Sequence, residues 1–414
     1  MMQFYLPRLV DTLLTELLAD LPAVLLVGPR ATGKTTSAAR QARTVVRLDR
    51  PAEAEAFRAD PDVALTGLAE PVLLDEWQVV PEVLGAIKRA VDSEPRPGRF
   101  VVTGSVRADL QHEGWPATGR LVRVDMTGLT MREVLRRDLT QTPWLDRLAQ
   151  QGVEGLVPPP DPPDLRGYIE LAVRGGFPEP VLRLSEATRD RWLVSYLDRV
   201  VTRDAMDLGV SRDPVRLRRF FEAWALNTAG EATDRKLLDA AGIDRRTGLA
   251  YEHLLRSLLI IDVLPAWSSN RLKRLVRAPK RYVCDPSLVA AALAIDAESV
   301  LRDGDLLGRM IDTFALAQLR AEIALSHRPP RLYHLRQEGG AREIDLIAEF
   351  GARTVVAVEF KARSAPNRDA ARHLIWLRDQ LGQNFAAGVV LHTGPRVYQL
   401  DERIAAAPLA TLWA

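Results

Sequence analysis

A single cysteine, Cys284, stands in 414 residues. No disulfide can form within the chain, and one thiol fits a reducing compartment. Long apolar runs are missing as well, since none approaches the roughly 20 residues that cross a bilayer. The N-terminal stretch MMQFYLPRLVDTLLTELL sets Asp11 and Glu16 among its apolar residues. It predicts an amphipathic helix rather than a signal peptide, and the expectation is a cytoplasmic protein with no membrane partner. Excess charge of either sign is also lacking: 56 basic against 54 acidic residues leave a net charge of +2. Overall electrostatics therefore give no argument for a nucleic-acid partner. Histidine is scarce, and His334, His373 and His392 fall on separate elements, which predicts packing or solvent contact rather than a metal site. No internal repeat is visible. What remains is an ordinary globular composition, 47% hydrophobic and 27% charged, in a length that predicts roughly two to four domains.

The clearest break is GLVPPPDPPD, where Pro158, Pro159, Pro160, Pro162 and Pro163 forbid helix and favour extended chain. Before it, short apolar runs (AVLLVG, TVVRLD, PVLLDE, RFVVTGS, LVRVDM) alternate with helical stretches, the pattern of a parallel sheet covered by helices on both faces. From Gly167 to Leu259 the period is helical. After Asp305 the order is helix, three strands, helix, strand. The expected parse is an α/β P-loop domain at 1–155, a helical middle domain at 165–300 and an α/β C-terminal domain at 305–414.

AVLLVGPRATGKTT carries Gly28, Gly33, Lys34 and Thr35 in the order GxxxxGK[ST], after an apolar strand and before a helix. Residues Gly28, Pro29, Arg30, Ala31, Thr32, Gly33, Lys34, Thr35 and Thr36 form the expected phosphate loop. Its backbone N–H groups would cradle the phosphates of ATP, Lys34 would reach the β/γ-phosphates and Thr35 would coordinate Mg²⁺. PVLLDEW supplies the acidic strand end such a site needs: Asp75 to hold Mg²⁺ through water, Glu76 to orient and deprotonate the attacking water. RFVVTGS ends in Thr103 and Ser105, which would sense the γ-phosphate or cap the strand. Arg120, in ATGRLVRV, would act as an arginine finger on its own or a neighbour's site, or lie on the surface.

GPRATGKTT, LLDEWQVVPEVLGAIKRAVD, VVTGS and the TGR around Arg120 together resemble the AAA-type ATPases of bacteria and archaea that carry a C-terminal domain of unknown function. RGGFPEP, YLDRVVTRD, RRTGLAYEHL and PKRYVCDPSL extend the resemblance over nearly the whole chain. It implies ATP binding and hydrolysis. Trp77 stands where that family has a smaller aliphatic residue, a change of packing rather than of chemistry.

EATDRKLLDAAGIDRRTGLAYEHLLRSLLII reads as helix, turn, helix, with Gly242 ending the first helix and Asp244 capping the second. Arg245 and Arg246 would start a recognition helix. The basic run Asn270–Arg281 holds Arg271, Lys273, Arg274, Arg277, Lys280 and Arg281 without an acid, and is expected as two strand-like pieces around a turn near Ser268–Asn270. It suits the wing of a winged helix contacting DNA; a solvated face or a protein-contact module is the alternative.

The C-terminal element order resembles the PD-(D/E)xK nuclease core, on Asp345 and Glu359-Phe360-Lys361 with a hairpin near Gly351 between them. Glu359 and Lys361 share a strand face. The resemblance implies that Asp345 and Glu359 hold Mg²⁺ or Mn²⁺, that Lys361 assists the attacking water, and that Asp312 stands where many such folds place a glutamate ligand. A Glu–Lys salt bridge, or a fold that binds without cutting, are the alternatives. Two functions follow: an ATPase whose nucleotide state governs nucleic-acid binding and metal-dependent cleavage, or a nucleotide-switched regulatory protein with an inactive nuclease-like tail. Oligomeric state is not derivable from the residues.

Overall fold

Five of the apolar runs become the strands of one parallel sheet. They are β1 (Ala23–Val27), β2 (Thr44–Arg47), β3 (Val72–Asp75), β4 (Phe100–Gly104) and β5 (Val122–Asp125), in the order β2-β3-β4-β1-β5. The computed structural model describes residues 5–105, 119–204, 213–268, 278–337, 341–351 and 354–414. They divide into two compact units, one comprising Met1–Leu129 with Phe177–Glu179 and Arg256–Leu259, the other Thr130–Gly176, Pro180–Leu255 and Ile260–Ala414.

In the first unit every residue of β1, β3 and β4 is buried. That is why these strands read as continuous apolar runs: a parallel sheet is covered on both faces. Alternation divides β1 between two cores. Leu25 and Val27 join Leu74, Val102 and Ile87 in one, while Val24 and Leu26 join Leu14, Leu18, Val101 and Val124 in the other. The expected N-terminal helix forms at Leu9–Asp20 and buries Leu9, Val10, Leu14 and Leu18. Because β4 lies between β1 and β3 and all strands run the same way, the ends at Val27, Asp75 and Gly104 meet at one edge. The strand order reverses beside β1, which opens a crevice at that edge.

In the second unit a mixed sheet has the order β12-β13-β11-β10-β9-β8, made of β8 (Arg331–Arg336), β9 (Glu343–Phe350), β10 (Thr354–Lys361), β11 (Phe385–His392), β12 (Tyr398–Asp401) and β13 (Ile404–Pro408). β8, β9 and β10 pair antiparallel, and β10–β11 and β11–β13 pair parallel. The helix Gly304–Ile323 comes before them and Arg372–Leu381 lies between β10 and β11, so the expected order of elements is present. β12 and β13 were not anticipated. IAAAP has alanines where a strand signal needs β-branched residues, and it is held in the sheet by its partner β11.

The helices Pro214–Leu226, Asp234–Ala241 and Arg245–Ser257 precede an antiparallel pair, β6 (Ile261–Leu264) and β7 (Lys280–Val283). Of the expected wing, β7 takes in Lys280 and Arg281. The first strand of the pair ends before Ser268, and Arg271, Lys273, Arg274 and Arg277 lie outside the described residues. Near the start of this unit, Arg132 and Glu322 form an ion pair at 2.7 Å with side chains only 3% and 7% exposed. The second Glu322 oxygen accepts the Trp144 N–H at 2.8 Å, and Gln318 accepts the Met131 N–H at 2.7 Å. This network fixes the segment at Met131–Val134 against the helix Gly304–Ile323.

Candidate nucleotide-binding site and acidic cleft

The loop after β1 is shaped by its glycines. Gly33 has φ +95°, and a Cβ on Gly28 would stand 2.1 Å from the Met126 carbonyl oxygen, so no other residue fits at either place without strain or clash. Arg8 holds the loop from outside, donating from Nη1 to the Thr32 carbonyl at 2.7 Å and from Nη2 to the Thr127 carbonyl at 2.9 Å. Thr32 and Lys34 both donate to the Pro29 carbonyl at 2.8 Å. Arg30, Ala31 and Thr36 are exposed, whereas Lys34 is buried. Burial pushes the Lys34 ammonium down to about 8, against the pull of Glu76 and Asp75.

The acidic strand end meets this loop. Thr35 Oγ1 donates to Asp75 Oδ1 at 2.7 Å, and Thr103 Oγ1 donates to the same oxygen. The Glu76 N–H reaches Thr103 Oγ1 at 3.4 Å. Thr103 is fully buried and its hydroxyl donates to Asp75. Glu76 takes a left-handed conformation, φ 57° and ψ 51°, which turns the chain sharply out of β3. Its carboxylate accepts from Ser105 Oγ at 3.2 Å and from Gln78 Nε2. Gln78 was missed in the sequence, although it stands two residues after the acid pair in DEWQ. The structure thus brings together the loop, Thr35, Asp75, Glu76, Thr103 and Ser105.

Arg120 is not among them. β5 runs parallel to β1 with Val24 opposite Val122, so Arg120 lies level with Pro22 at the edge of the sheet opposite the phosphate loop. There its Nε pairs with Asp92 at 2.6 Å on the surface. Arg120 thus occupies the surface position that was the alternative to an arginine finger, and is not brought to the phosphate loop of its own chain.

In the second unit, Asp312, Asp345, Glu359 and Lys361 line one cleft of about 550 Å³. Asp345 and Glu359 come together across the β9–β10 hairpin, as Val358 opposite Leu346 requires. Lys361 Nζ pairs with Glu359 Oε1 at 2.6 Å, the salt bridge that was the alternative to catalysis. Glu359 Oε2 is buried with no hydrogen-bond partner among the described residues.

The sequence misassigned one member of this cluster. Lys280 belongs to the basic run expected as wing, yet its Nζ sits 2.7 Å from Asp345 Oδ1 and 3.2 Å from Asp312 Oδ2. Arg281 is buried too, paired with Asp234 and donating to the Ala232 carbonyl. Two cations of the run are therefore internal counter-ions. The signal was KRYVC, a strand in which Lys280 shares a face with Tyr282 rather than with water.

Burial pushes Glu359 up to about 8 and Asp312 up to about 7, in both cases with Asp345 adding repulsion. Asp345, beside Lys280 and accepting the Phe360 N–H at 3.0 Å, is held below the ordinary carboxylate range despite its burial. Arg309, Arg336, Arg363 and Arg372 line the same cleft. Arg245 and Arg246 are exposed at the start of their helix, where Asp244 accepts the Thr247 N–H at 3.0 Å.

Residues 20–135 match the family model described as AAA domain. Residues 165–299 and 307–412 match two models described as domains of unknown function, DUF8612 and DUF4143. An uncharacterized protein of Mycobacterium tuberculosis (strain ATCC 25618 / H37Rv) and one of Mycobacterium bovis (strain ATCC BAA-935 / AF2122/97) are each 28% identical over 391 residues, covering 94% of this chain and 80% of theirs. Among solved structures, a Walker-type ATPase of Pyrococcus abyssi overlaps 68% of this chain and 94% of its own, with 16% identity and a TM-score of 0.40. Among the described residues no helix is long and apolar enough to cross a membrane.

Proposed function

We propose that the first unit binds ATP with Mg²⁺ and hydrolyses it. The observation that carries this is the contact of Thr35 with Asp75 at 2.7 Å, which joins the phosphate loop to the acidic strand end in one hydrogen-bonded site. Thr35 and Asp75 would hold Mg²⁺, which supplies charge neutralisation for the phosphates. Lys34 exchanges the Pro29 carbonyl for a phosphate oxygen, and Glu76 takes a proton from the water it orients. In Lys34→Ala that charged donor is lost; at about 1.5–3 kcal/mol for a hydrogen bond to a charged group, ATP affinity should fall about tenfold or more. Titration with a fluorescent ATP analogue checks this, and unchanged affinity would remove Lys34 from the site.

We infer further that the second unit recognises nucleic acid, as a winged helix joined to a restriction-endonuclease-like domain, and that the chain as a whole divides functionally at 1–155, 165–300 and 305–414. Support comes from the exposed Arg245 and Arg246 and from the arginines lining the acidic cleft. Asp345, Glu359 and Asp312 offer the hard oxygen donors that Mg²⁺ or Mn²⁺ prefers, and the unpartnered Glu359 oxygen suits such an ion, whose chemistry would be activation of a water. The full chain should bind a duplex with an affinity that falls steeply as salt rises, and Arg245→Ala with Arg246→Ala should flatten that slope. Metal-dependent cleavage that Glu359→Ala abolishes would select the nuclease. Binding without cleavage would select the nucleotide-switched regulatory protein, a reading favoured by the pairing of Lys361 with Glu359 at 2.6 Å.

A further inference from the structure

We propose that Lys280 is the resident cation of the acidic cleft, and that a divalent metal ion binds at Asp345 and Asp312 only in competition with it. The inference rests on the nuclease-like reading of the cleft for the kind of metal expected, and on the geometry alone for the competition.

Lys280 is 4% exposed and directs its ammonium between two carboxylates on different elements, Asp345 on β9 and Asp312 on the helix Gly304–Ile323. The space between two converging carboxylates is where a hard divalent ion would sit, and an ammonium there satisfies the same charge. Two cations cannot share it, because their repulsion in a buried place is screened little. The backbone of Lys280 is fixed on both edges: Lys280 pairs with Leu264 in β6, and the Arg281 N–H donates to the Gly230 carbonyl at 2.8 Å. The strand therefore stays and only the four-carbon side chain can withdraw. Glu231, next to Gly230, lines the same cleft and gives the ammonium a third carboxylate to turn to. The remaining ligand is ready, since Glu359 is 7% exposed and its Oε2 has no hydrogen-bond partner among the described residues. Metal entry is thus coupled to the position of one side chain that comes from β7, not from the sheet or the helix that carry the acids.

The test is Mn²⁺ binding to the nucleotide-free full chain, read by the electron paramagnetic resonance signal of free Mn²⁺. Lys280→Met should bind Mn²⁺ about tenfold or more tightly than the parent, as expected when a like charge is removed from beside a cation. Adding Asp345→Asn should erase the gain, which places it in the cleft. Lys280→Met should also melt lower than the parent without metal and recover with Mn²⁺, because its carboxylates are otherwise left unpaired. Lys280→Gln is a second variant with the same expected gain. Binding no tighter than the parent in both variants overturns the proposal. So does insolubility of both even when they are produced with Mn²⁺, since the metal should replace the lost ammonium. Cleavage assays on the same proteins separate the two ideas: a Mn²⁺ gain without cleavage upholds the role of Lys280 and refutes an active nuclease.

Discussion

In Glu76→Gln, ATP turnover is expected to fall by about 10²–10⁴-fold while ATP affinity stays at the parental level. The two effects separate because glutamine keeps the shape of the side chain but cannot take a proton. Ser105 Oγ, at 3.2 Å from the carboxylate, can still hydrogen-bond the amide oxygen, and the left-handed backbone at φ 57° is unaffected by the change. Lys34, Thr35 and Asp75 remain to hold the nucleotide. Phosphate release under saturating ATP measures the first effect, and a nucleotide titration the second. Equal turnover in variant and parent would assign proton transfer to some other group. Equal loss of binding and turnover would make Glu76 a structural residue of the β3 turn.

Arg132→Met should destabilise the protein by about 3–5 kcal/mol, the usual cost of leaving one partner of a buried ion pair alone. Glu322 stays behind with one oxygen bonded to the Trp144 N–H at 2.8 Å and the other bare. Burial already holds the Glu322 pKa above its usual range, and Arg132 is the largest opposing influence. Without the guanidinium that pKa rises further. A folded-state pKa above the unfolded one gives stability that is present in mild acid and lost as pH rises through the folded value. The variant should therefore be closest to the parent near the ordinary glutamate pKa and fall behind as pH increases. Urea unfolding across that range measures it, and a deficit that does not change with pH would show that lost packing, not the charge, is responsible.

The parts of the molecule legible in the sequence are those whose partners are close along the chain or imposed by backbone geometry. GPRATGKTT announces a turn because glycine is needed at Gly33 for φ +95° and at Gly28 for approach to Met126. VLLD announces a buried strand ending in an acid, and the five-stranded parallel sheet follows from such runs. What failed depended on which strand lies beside which. Arg120 follows the same kind of motif logic, but the register of β5 on β1 puts it at the far edge of the sheet. Thr103 could be read from the sequence as a phosphate sensor or a strand cap, and only the sheet order shows that its hydroxyl meets Asp75 on the next strand. Lys280 is the plainest case. A run of six cations without an acid looks solvated, and only folding brings Asp345, 65 positions away, to 2.7 Å from one of them.

Arg8 has a consequence for how the phosphate loop meets its ligand. A chain of glycines and small residues is costly to order, because it has many conformations to give up. Here the guanidinium clamps the Thr32 and Thr127 carbonyls at 2.7 and 2.9 Å from a position upstream of the first helix. The conformational entropy of the loop is thus surrendered at folding rather than at binding. Preorganisation of this kind leaves the attraction between loop and phosphate undiminished by an ordering cost. The affinity of the site is consequently written in part in a residue outside the phosphate loop, ahead of every strand in the sheet.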